Sequence, residues 1–383
     1  MDSTGLNDLF DVDGPEASLD GLLDVDRGSE RMMAILRDPQ VTQICVNRHD
    51  RIFYSDQRGQ KVVNGNLFTP ATYVKWLNEL LRLTDVGYSD VTTAKTSVIE
   101  GSFRPGVTDL HGSIHISTAE LTRDEPALTI RKQPRTVVSL DDMLRAQMMN
   151  DEMRLFLQLA VHGRLNILLS GGSGAGKTTM ARALSQFIDP HNRVITVEEI
   201  DELHLADSLD NVVGLTTYRQ RDGEGRVVRE VTLDDLVRES LRMRGDRIWV
   251  GETRGKEAYA LVKACNSGHD GSITTIHADN GRQAIDQLVT YVMESGLPEG
   301  VARSQVSQAF HLVIQVGREK MGRRVIREIT ELEQVLEGSV QRTIPLFRFN
   351  SSTDGFEKVS TPSRRLIESM ARYGASYGDL SHR

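Results

Sequence analysis

The chain has 383 residues, of which 39% are hydrophobic and 26% are charged. This length predicts two or three domains, and the composition is globular rather than disordered or fibrous. Its two cysteines, Cys45 and Cys265, are too few for a disulfide framework or a four-cysteine zinc site, so we expect a reducing compartment. The acidic start lacks the basic region of a signal peptide, and no apolar run reaches the roughly 18 residues of a membrane span. A soluble cytoplasmic protein is therefore expected.

The formal net charge of −8 comes from the start of the chain. Residues 1–30 contain nine acidic side chains and one basic one, Arg27, so residues 31–383 sum to zero. Tight non-specific binding to nucleic acid needs a basic surface. The neutral body therefore predicts no direct nucleic-acid binding and disfavours a DNA motor.

The first part of the chain predicts a tail and a mixed domain. Residues 1–28 are acidic and weakly periodic, which indicates a flexible tail. Residues 29–133 mix helical and strand patterns and predict an α+β domain, in which Thr69-Pro70 is a typical helix start. An apolar stripe at helical spacing follows it: Tyr73, Trp76, Leu77, Leu80 and Leu81. The other predicted elements are a helix at Glu30–Arg37 and strands at Val41–Val46, Arg51–Tyr54, Gln60–Val63, Ser113–Ile116 and Ala127–Arg131.

Beyond residue 133 the pattern changes. Residues 134–150 predict a linker with one short helix, residues 151–350 a second domain, and residues 351–383 a polar C-terminal tail. In the second domain short apolar strands alternate with helices, which predicts an α/β fold with a mainly parallel sheet. The predicted strands are Asn166–Leu169, Arg193–Val197, Arg247–Val250 and Ser272–Ile276, followed by hairpin-like strands at Leu312–Val316, Arg324–Thr330 and Val340–Phe347. The predicted helices are Lys177–Ile188, Asp234–Met243, Lys256–Asn266 and Arg282–Glu294.

A glycine-rich segment between a predicted strand and a predicted helix fits the pattern GxxxxGK[ST]. Such a loop binds phosphate through backbone amides and the helix N-terminus. We therefore expect ATP to be bound by Gly172, Ser173, Gly174, Ala175, Gly176, Lys177, Thr178 and Thr179. The ammonium group of Lys177 is expected to neutralise the β- and γ-phosphates, and the hydroxyl of Thr178 to bind Mg²⁺.

Acidic and histidine side chains follow the other predicted strands. Glu252 ends the segment after the strand at 247–250, where a carboxylate can organise Mg²⁺ and water. The acidic run at 198–202 follows the strand at 193–197, and carboxyl ends of parallel strands face the ligand crevice. His269 and His277 bracket the strand at 272–276, where they could face phosphate, a metal ion or a neighbouring subunit. Their spacing disfavours zinc.

Four segments, in order and spacing, resemble the motifs of the secretion ATPases of type II secretion, type IV secretion and type IV pili. They are GGSGAGKT (171–178) as Walker A, VITVEEIDEL (194–203) as the Asp box, LRMRGDRIWVGETRGKEA (241–258) as Walker B and NSGHDGSITTIHADN (266–280) as the His box. The resemblance covers roughly residues 30–350. ALTIRK (127–132) and GRRVIREITEL (322–332) make the chain most similar to the CpaF/TadA branch, which drives tight-adherence pilus assembly.

The resemblance implies a RecA-like C-terminal domain and a set of residue roles. Glu198 would polarise the attacking water, Glu252 would organise Mg²⁺ and water, and His277 would sense the γ-phosphate, with His269 nearby. Arg131 would reach the nucleotide when the two domains close, with Arg104 and Arg123 as weaker candidates. The resemblance also implies a homohexamer at the inner face of the cytoplasmic membrane, which acts on an inner-membrane platform protein and indirectly on pilin or a secreted substrate.

The sequence also departs from the family pattern. Glu198-Glu199 stands where the family has Glu-Asp, so either glutamate could act, and Gly245 replaces a proline before the Walker B aspartate. The tetracysteine element of type II secretion ATPases is absent, and the charged loop at 219–228 has no assigned role. Two alternative functions remain: a type IV secretion ATPase that moves protein or DNA, and a nucleotide-gated scaffold with little hydrolysis.

Overall fold

A computed structural model describes residues 27–56, 59–84, 86, 90–92, 97–103, 110, 112–132, 138–221, 226–319, 322–334 and 342–380. The chain divides into two compact units. Unit 1 comprises residues 1–135 and 221–228, and unit 2 comprises residues 136–220 and 229–383. Most of the predicted acidic tail, and Arg104, lie outside the described residues.

Unit 1 is a mixed α+β unit, as the sequence predicts. Its described helices are α1 (Arg27–Arg37), α2 (Pro70–Arg82) and α3 (Ala119–Thr122), and its described strands are β1 (Gln43–Arg48), β2 (Arg51–Asp56), β3 (Gly59–Val62), β4 (Val98–Ser102), β5 (Gly112–Ser117) and β6 (Ala127–Lys132). The strands form an antiparallel sheet in the order β3-β2-β1-β6-β5-β4.

The helix start at Thr69-Pro70 is confirmed. The Thr69 hydroxyl accepts the backbone N–H of Thr72, and Pro70 occupies the first turn of α2, where its missing N–H has no helical partner to lose. The predicted apolar stripe of α2 is fully buried and packs against the sheet, where Ile44 and Ile130 are also buried. Burial of this stripe is the main stabilising contribution that α2 makes to unit 1.

Unit 2 carries the remaining elements. Its described helices are α4 (Leu140–Arg145), α5 (Asp151–His162), α6 (Lys177–Ser185), α7 (Leu233–Ser240), α8 (Glu257–Asn266), α9 (Gly281–Met293), α10 (Glu299–Ala309) and α11 (Arg364–Ala371). Its strands in the large sheet are β7 (Ile167–Ser170), β8 (Val194–Glu198), β9 (Val212–Thr216), β12 (Arg247–Val250), β13 (Ile273–Ile276), β14 (Leu312–Arg318), β15 (Arg324–Leu332), β16 (Thr343–Asn350) and β17 (Gly355–Lys358). None of the helices in the described part of either unit is long and apolar enough to cross a membrane.

The large sheet is parallel on one side and antiparallel on the other. Its strand order over the described residues is β17-β16-β15-β14-β7-β13-β12-β8-β9. Every pair from β14 to β9 is parallel, and every pair from β14 to β17 is antiparallel. The predicted parallel sheet and hairpin-like strands are therefore both confirmed. All four residues are buried in each of β7, β12 and β13, because helices cover both faces of the parallel part.

Two segments differ from the sequence prediction. The predicted polar tail at 351–383 contains β17 and α11, and α11 buries Leu366 and Met370 in the core of unit 2. Their spacing of four residues puts both on one face of the helix, and the Ser363 hydroxyl caps its first turn. The two ends of the charged loop at 219–228 lie in two paired strands, β10 (Tyr218–Arg221) and β11 (Val227–Val231), and residues 222–225 lie outside the described residues.

Candidate functional site

The glycine-rich loop leaves the buried strand β7 and leads directly into α6. Gly174 and Gly176 have φ values of +65° and +101°, a left-handed region that side chains other than glycine rarely adopt. Gly171 is needed for another reason, because a Cβ at this position would lie 2.4 Å from the carbonyl oxygen of Val316 on β14. The loop therefore turns tightly and ends at the N-terminus of a helix, which is the geometry that binds phosphate.

Lys177 is folded back onto this loop. Its ammonium group donates to the carbonyl oxygens of Gly171 at 2.9 Å and Gly172 at 3.3 Å, and it lies 3.2 Å from Nδ1 of His277. An ammonium group has no lone pair, so His277 Nδ1 must be the acceptor and the ring proton must lie on Nε2. The loop, its lysine and the predicted histidine are therefore in direct contact.

A chain of charged side chains continues from His277. Its Nε2 lies 2.9 Å from Oε1 of Glu252, and the other oxygen of Glu252 accepts from Arg254 at 2.8 Å. Arg254 also donates to Glu199 at 3.1 Å. These contacts, with the Glu252 bond as the largest cause, raise the pKa of Arg254 above its ordinary value. Lys177, His277, Glu252, Arg254 and Glu199 thus form one polar chain beside the phosphate loop.

The register of the parallel strands explains why these residues meet. Ile276 on β13 pairs with Ser170 on β7, and Val250 on β12 pairs with both Thr274 on β13 and Val197 on β8. The carboxyl ends of the four strands therefore lie within two residues of one another, and the residues that follow them share one edge of the sheet. The sequence prediction that Walker A, Walker B and the His box converge agrees with this arrangement.

Glu198 is the most deeply buried of the predicted acids, with 3% of its surface exposed. Its Oε1 accepts the backbone N–H groups of Glu202 and Leu203, both at 3.1 Å. Burial, and next the charge of Asp201, raise the pKa of Glu198 to about 9. In this conformation the carboxyl is therefore protonated at neutral pH, whereas Glu199 is half exposed and pairs with Arg254.

Glu202 belongs to the acidic run at 198–202, but the sequence analysis assigns it no role of its own. The Thr178 hydroxyl donates to Oε2 of Glu202 at 3.4 Å. The signal that could have identified Glu202 is its spacing of four residues from Glu198. The two residues lie on one turn, in which backbone N–H groups donate to the Glu198 carboxyl. Its carboxylate lies next to the hydroxyl that is expected to bind Mg²⁺.

The donors present suit Mg²⁺, which prefers hard oxygen ligands. Thr178, Glu202 and Glu252 supply a hydroxyl and two carboxylates around the loop. No group of three or more His, Cys, Asp or Glu side chains in the described residues is arranged to hold a metal ion alone. Mg²⁺ normally takes one or two protein oxygens and completes its shell with phosphate and water, so the donor set fits a magnesium nucleotide.

One sequence-predicted histidine lies away from this edge, and two predicted arginines belong to unit 1. His269 precedes β13, so it lies at the opposite end of that strand from His277, and its Nδ1 contacts the carbonyl oxygen of Ala264 at 3.2 Å. The expectation that the two histidines lie close together is therefore wrong, because a four-residue strand separates them by about 13 Å. Arg131 belongs to unit 1, where it is exposed on β6, and Arg123 lies in unit 1 after α3.

Comparisons with known proteins agree with this geometry. The family model described as "Type II/IV secretion system protein" matches residues 107–351. The conjugal transfer protein TrbB of Rhizobium radiobacter is 28% identical over 307 residues, which are 79% of this chain and 87% of TrbB. A putative conjugal transfer protein of Mycobacterium tuberculosis is 40% identical over 181 residues, but these span only 47% of this chain and 50% of that protein.

A solved structure shares the fold. The pilus retraction motor PilT with bound ADP has a TM-score of 0.54 and 17% identity, and the match covers 81% of this chain and 83% of PilT. This likeness confirms the predicted fold class, a RecA-like α/β domain preceded by a smaller α+β domain.

Proposed function

Because the chain belongs to the family of type II/IV secretion system proteins, we propose that it is a Mg²⁺-dependent ATPase that powers transport across a membrane. The observation that supports this most directly is the contact of Lys177 with His277 and, through it, with Glu252. A phosphate loop alone binds nucleotide. A histidine and a carboxylate joined to its lysine provide the means to detect and act on the terminal phosphate.

Each residue of the site has a proposed part in hydrolysis. The amides of residues 172–179 and Lys177 hold the phosphates, and bound Mg²⁺ would neutralise the charge that develops on them. Thr178, Glu202 and Glu252 would hold the metal ion. Glu198 would accept the proton of the attacking water, since a carboxyl group whose pKa is raised by burial is a stronger base once ionised.

His277 is proposed to couple the terminal phosphate to Glu252. In the described conformation its Nδ1 accepts from Lys177, and its Nε2 lies 2.9 Å from Oε1 of Glu252 in an ion-pair contact rather than a hydrogen bond. When Lys177 turns to the phosphates, Nδ1 of His277 loses this donor. The histidine and Glu252 then rearrange together, which transmits the presence of a γ-phosphate to Arg254 and Glu199.

The assembly and location are proposed from the family resemblance. We expect a cytoplasmic homohexamer that acts on an inner-membrane platform protein, with Arg131 of the N-terminal domain approaching the nucleotide when the domains close. The segments ALTIRK and GRRVIREITEL favour the CpaF/TadA branch and hence tight-adherence pilus assembly. Pilin or a secreted substrate would be moved indirectly.

A type IV secretion ATPase is the second candidate. It is favoured by TrbB, a conjugal transfer protein that matches 79% of this chain. Neighbouring genes separate the two functions. Genes for pilin and a platform protein support pilus assembly, and genes for a coupling protein and a channel support conjugative transfer.

The proposed activity is tested with Lys177→Ala. Removing the ammonium group should reduce ATP turnover at least about a thousandfold, because no other described side chain of the loop carries positive charge. Lys263→Ala is the matched control, since this exposed lysine lies on α8 and contacts only the ring of Tyr259 among the interactions described. Equal turnover in wild type and Lys177→Ala would refute the proposal.

The scaffold alternative is tested with Glu252→Gln. In an ATPase this change should lower turnover about a hundredfold or more while ATP binding is kept. In a nucleotide-gated scaffold, turnover is already negligible and Glu252→Gln leaves it unchanged. The two functions therefore give opposite results with one variant.

A further inference from the structure

Two arginines of the β14–β15 hairpin converge on the phosphate loop. Arg318 donates from Nε at 3.1 Å and from Nη2 at 2.7 Å to the carbonyl oxygen of Gly174, and Arg324 donates from Nε at 3.4 Å to the same oxygen. A backbone carbonyl has two lone pairs and no net charge, so it cannot neutralise two guanidinium groups. Within the described parts of the chain, neither arginine is paired with a carboxylate.

The loop is shaped to admit both side chains. A Cβ on Gly174 would lie 2.8 Å from Nη2 of Arg318, and a Cβ on Gly176 would lie 3.1 Å from Cδ of Arg324. The backbone of Arg318 is also held within the hairpin. Arg327 donates to the carbonyl oxygen of Arg318 at 2.8 Å and pairs with Glu319 at 3.2 Å. The two arginines therefore contact the loop closely, while both side chains stay exposed at its surface.

The positive charges of Arg318 and Arg324 also repel each other. Burial, and next the charge of Arg318, lower the pKa of Arg324 below its ordinary value. A protein gains nothing in stability from two like charges held at one neutral acceptor. An anion bound between them would relieve this repulsion, so the arrangement is that of a binding site for a negatively charged group.

The strand order shows which end of a nucleotide would lie there. β14 lies on one side of β7, and β13 and β12, which lead to His277 and Glu252, lie on the other. Lys177, the residue that takes the β- and γ-phosphates, faces His277. The phosphate chain therefore runs from the His277 side toward the β14 side, and its nucleoside end lies next to the arginines. A guanidinium can donate to a phosphate and can cover the face of a base.

We propose that Arg318 and Arg324 bind the nucleoside 5′-monophosphate end of the nucleotide, with their N–H groups on the α-phosphate and a guanidinium plane against the base. This inference rests on the proposed nucleotide site and adds two binding residues to it. Arg318 uses Nε and Nη2 on Gly174, which leaves its Nη1 group to donate to the ligand.

Calorimetric titration of the full chain with ATP, ADP and inorganic tripolyphosphate, each with Mg²⁺, tests the proposal. Arg318→Gln and Arg324→Gln keep an N–H donor for the Gly174 carbonyl but remove the charge. Each should raise the dissociation constants of ATP and ADP by the same factor, about tenfold. The dissociation constant of tripolyphosphate should rise by a smaller factor, because its third phosphate can reach the arginines but it has no base to lie against a guanidinium plane.

Arg323→Gln is the matched control, since it removes the same charge from the same hairpin at a residue that pairs with Asp354. Its nucleotide affinity should match that of wild type. The proposal is overturned if Arg318→Gln and Arg324→Gln bind ATP like the control, or if tripolyphosphate and ATP lose affinity by equal factors. Should a glutamine variant fold poorly, Arg318→Lys keeps the charge but removes the guanidinium plane, so it should still weaken ATP binding more than tripolyphosphate binding. If wild type binds none of the three ligands, the proposed nucleotide site itself fails.

Discussion

The two edges of the parallel sheet in unit 2 hold polar groups in different ways. At the amino edge, Asn166 accepts the N–H groups of Gly271 at 2.8 Å and Ser272 at 2.9 Å and donates to Ala309 at 2.7 Å. At the carboxyl edge, Glu252 pairs with His277 and Arg254. Asn166 is 1% exposed, whereas the side chains of His277 and Arg254 are 43% and 56% exposed.

This difference shows how one sheet serves two purposes. Bonds between buried, neutral groups are hard to replace, because a lost partner leaves a group that water cannot reach. Ion pairs near solvent exchange partners at little cost, because water and other ions compensate them. The amino edge is therefore built to stay fixed, and the carboxyl edge is built to change partners when a charged ligand arrives.

Asn166→Ala should have the largest effect, and it should act on stability. The variant leaves the N–H groups of Gly271 and Ser272 buried without an acceptor, so the free energy of unfolding should fall by about 3 kcal/mol. Turnover per folded molecule should change less than about twofold. Urea unfolding measures the first quantity, with Asn266→Ala as a control that removes one exposed bond to Gln305. Equal loss in both variants would contradict the contrast between the edges.

Glu198→Gln should have the next largest effect, and the effect should depend on pH. Glu198 has a raised pKa when folded, so between about pH 4.5 and 9 the folded state holds a proton that the unfolded state releases. Stability from this group is therefore lost as pH rises through that window. Glutamine accepts the same N–H groups without titrating, so the variant should be roughly 1–3 kcal/mol more stable at pH 8 and no more stable near pH 5.

Turnover of the same variant distinguishes the role of Glu198. As the proton acceptor it should lose turnover about a hundredfold on substitution, while unfolding at pH 8 becomes harder. A gain in stability with unchanged turnover would remove Glu198 from the catalytic set and leave it as a support of the turn at 199–203.

Substitution of His277 should give the smallest effect of the three, and its comparison with His269 should separate the two edges of the sheet most clearly. His277→Ala breaks the link between Lys177 and Glu252 and should lower turnover about tenfold. His269→Ala removes a contact with Ala264 at the other edge and should change turnover less than about twofold. Steady-state ATPase assays on both variants check this. Similar losses in the two would mean that the edges are not functionally separate.

The sequence could predict what depends on local patterns. Buried strands such as Ile167–Ser170 are short apolar runs, and the loop after it needs glycine at particular backbone angles. Parallel pairing follows from the alternation of strands and helices, and the resemblance to the secretion ATPases brings Lys177, Glu252 and His277 to one nucleotide. These features can be predicted without knowing how the side chains pack.

The rest depends on packing or on distant residues. Arg318 meets Gly174 across 144 residues, which no local spacing reveals. Glu198 looks like any acid at a strand end, and only the turn that folds over it makes it buried. The sequence predicts a polar tail where the helix Arg364–Ala371 lies. Two buried residues, Leu366 and Met370, are enough to attach this helix to the core, because they share one face.

The position of β7 has a consequence for how the chain is made. β7 is the central strand that carries the phosphate loop, and Ile167 pairs with Ile273 on one side and Leu312 on the other. Both partners are synthesised more than a hundred residues later, so during translation this strand, which is fully buried in the folded protein and apolar at three of its four residues, has no strand to pair with. Such a strand is a target for chaperones and an opportunity for aggregation. Nucleotide binding cannot stabilise the strand during this interval, because the phosphate loop folds only after the strands on both sides of β7 have been synthesised.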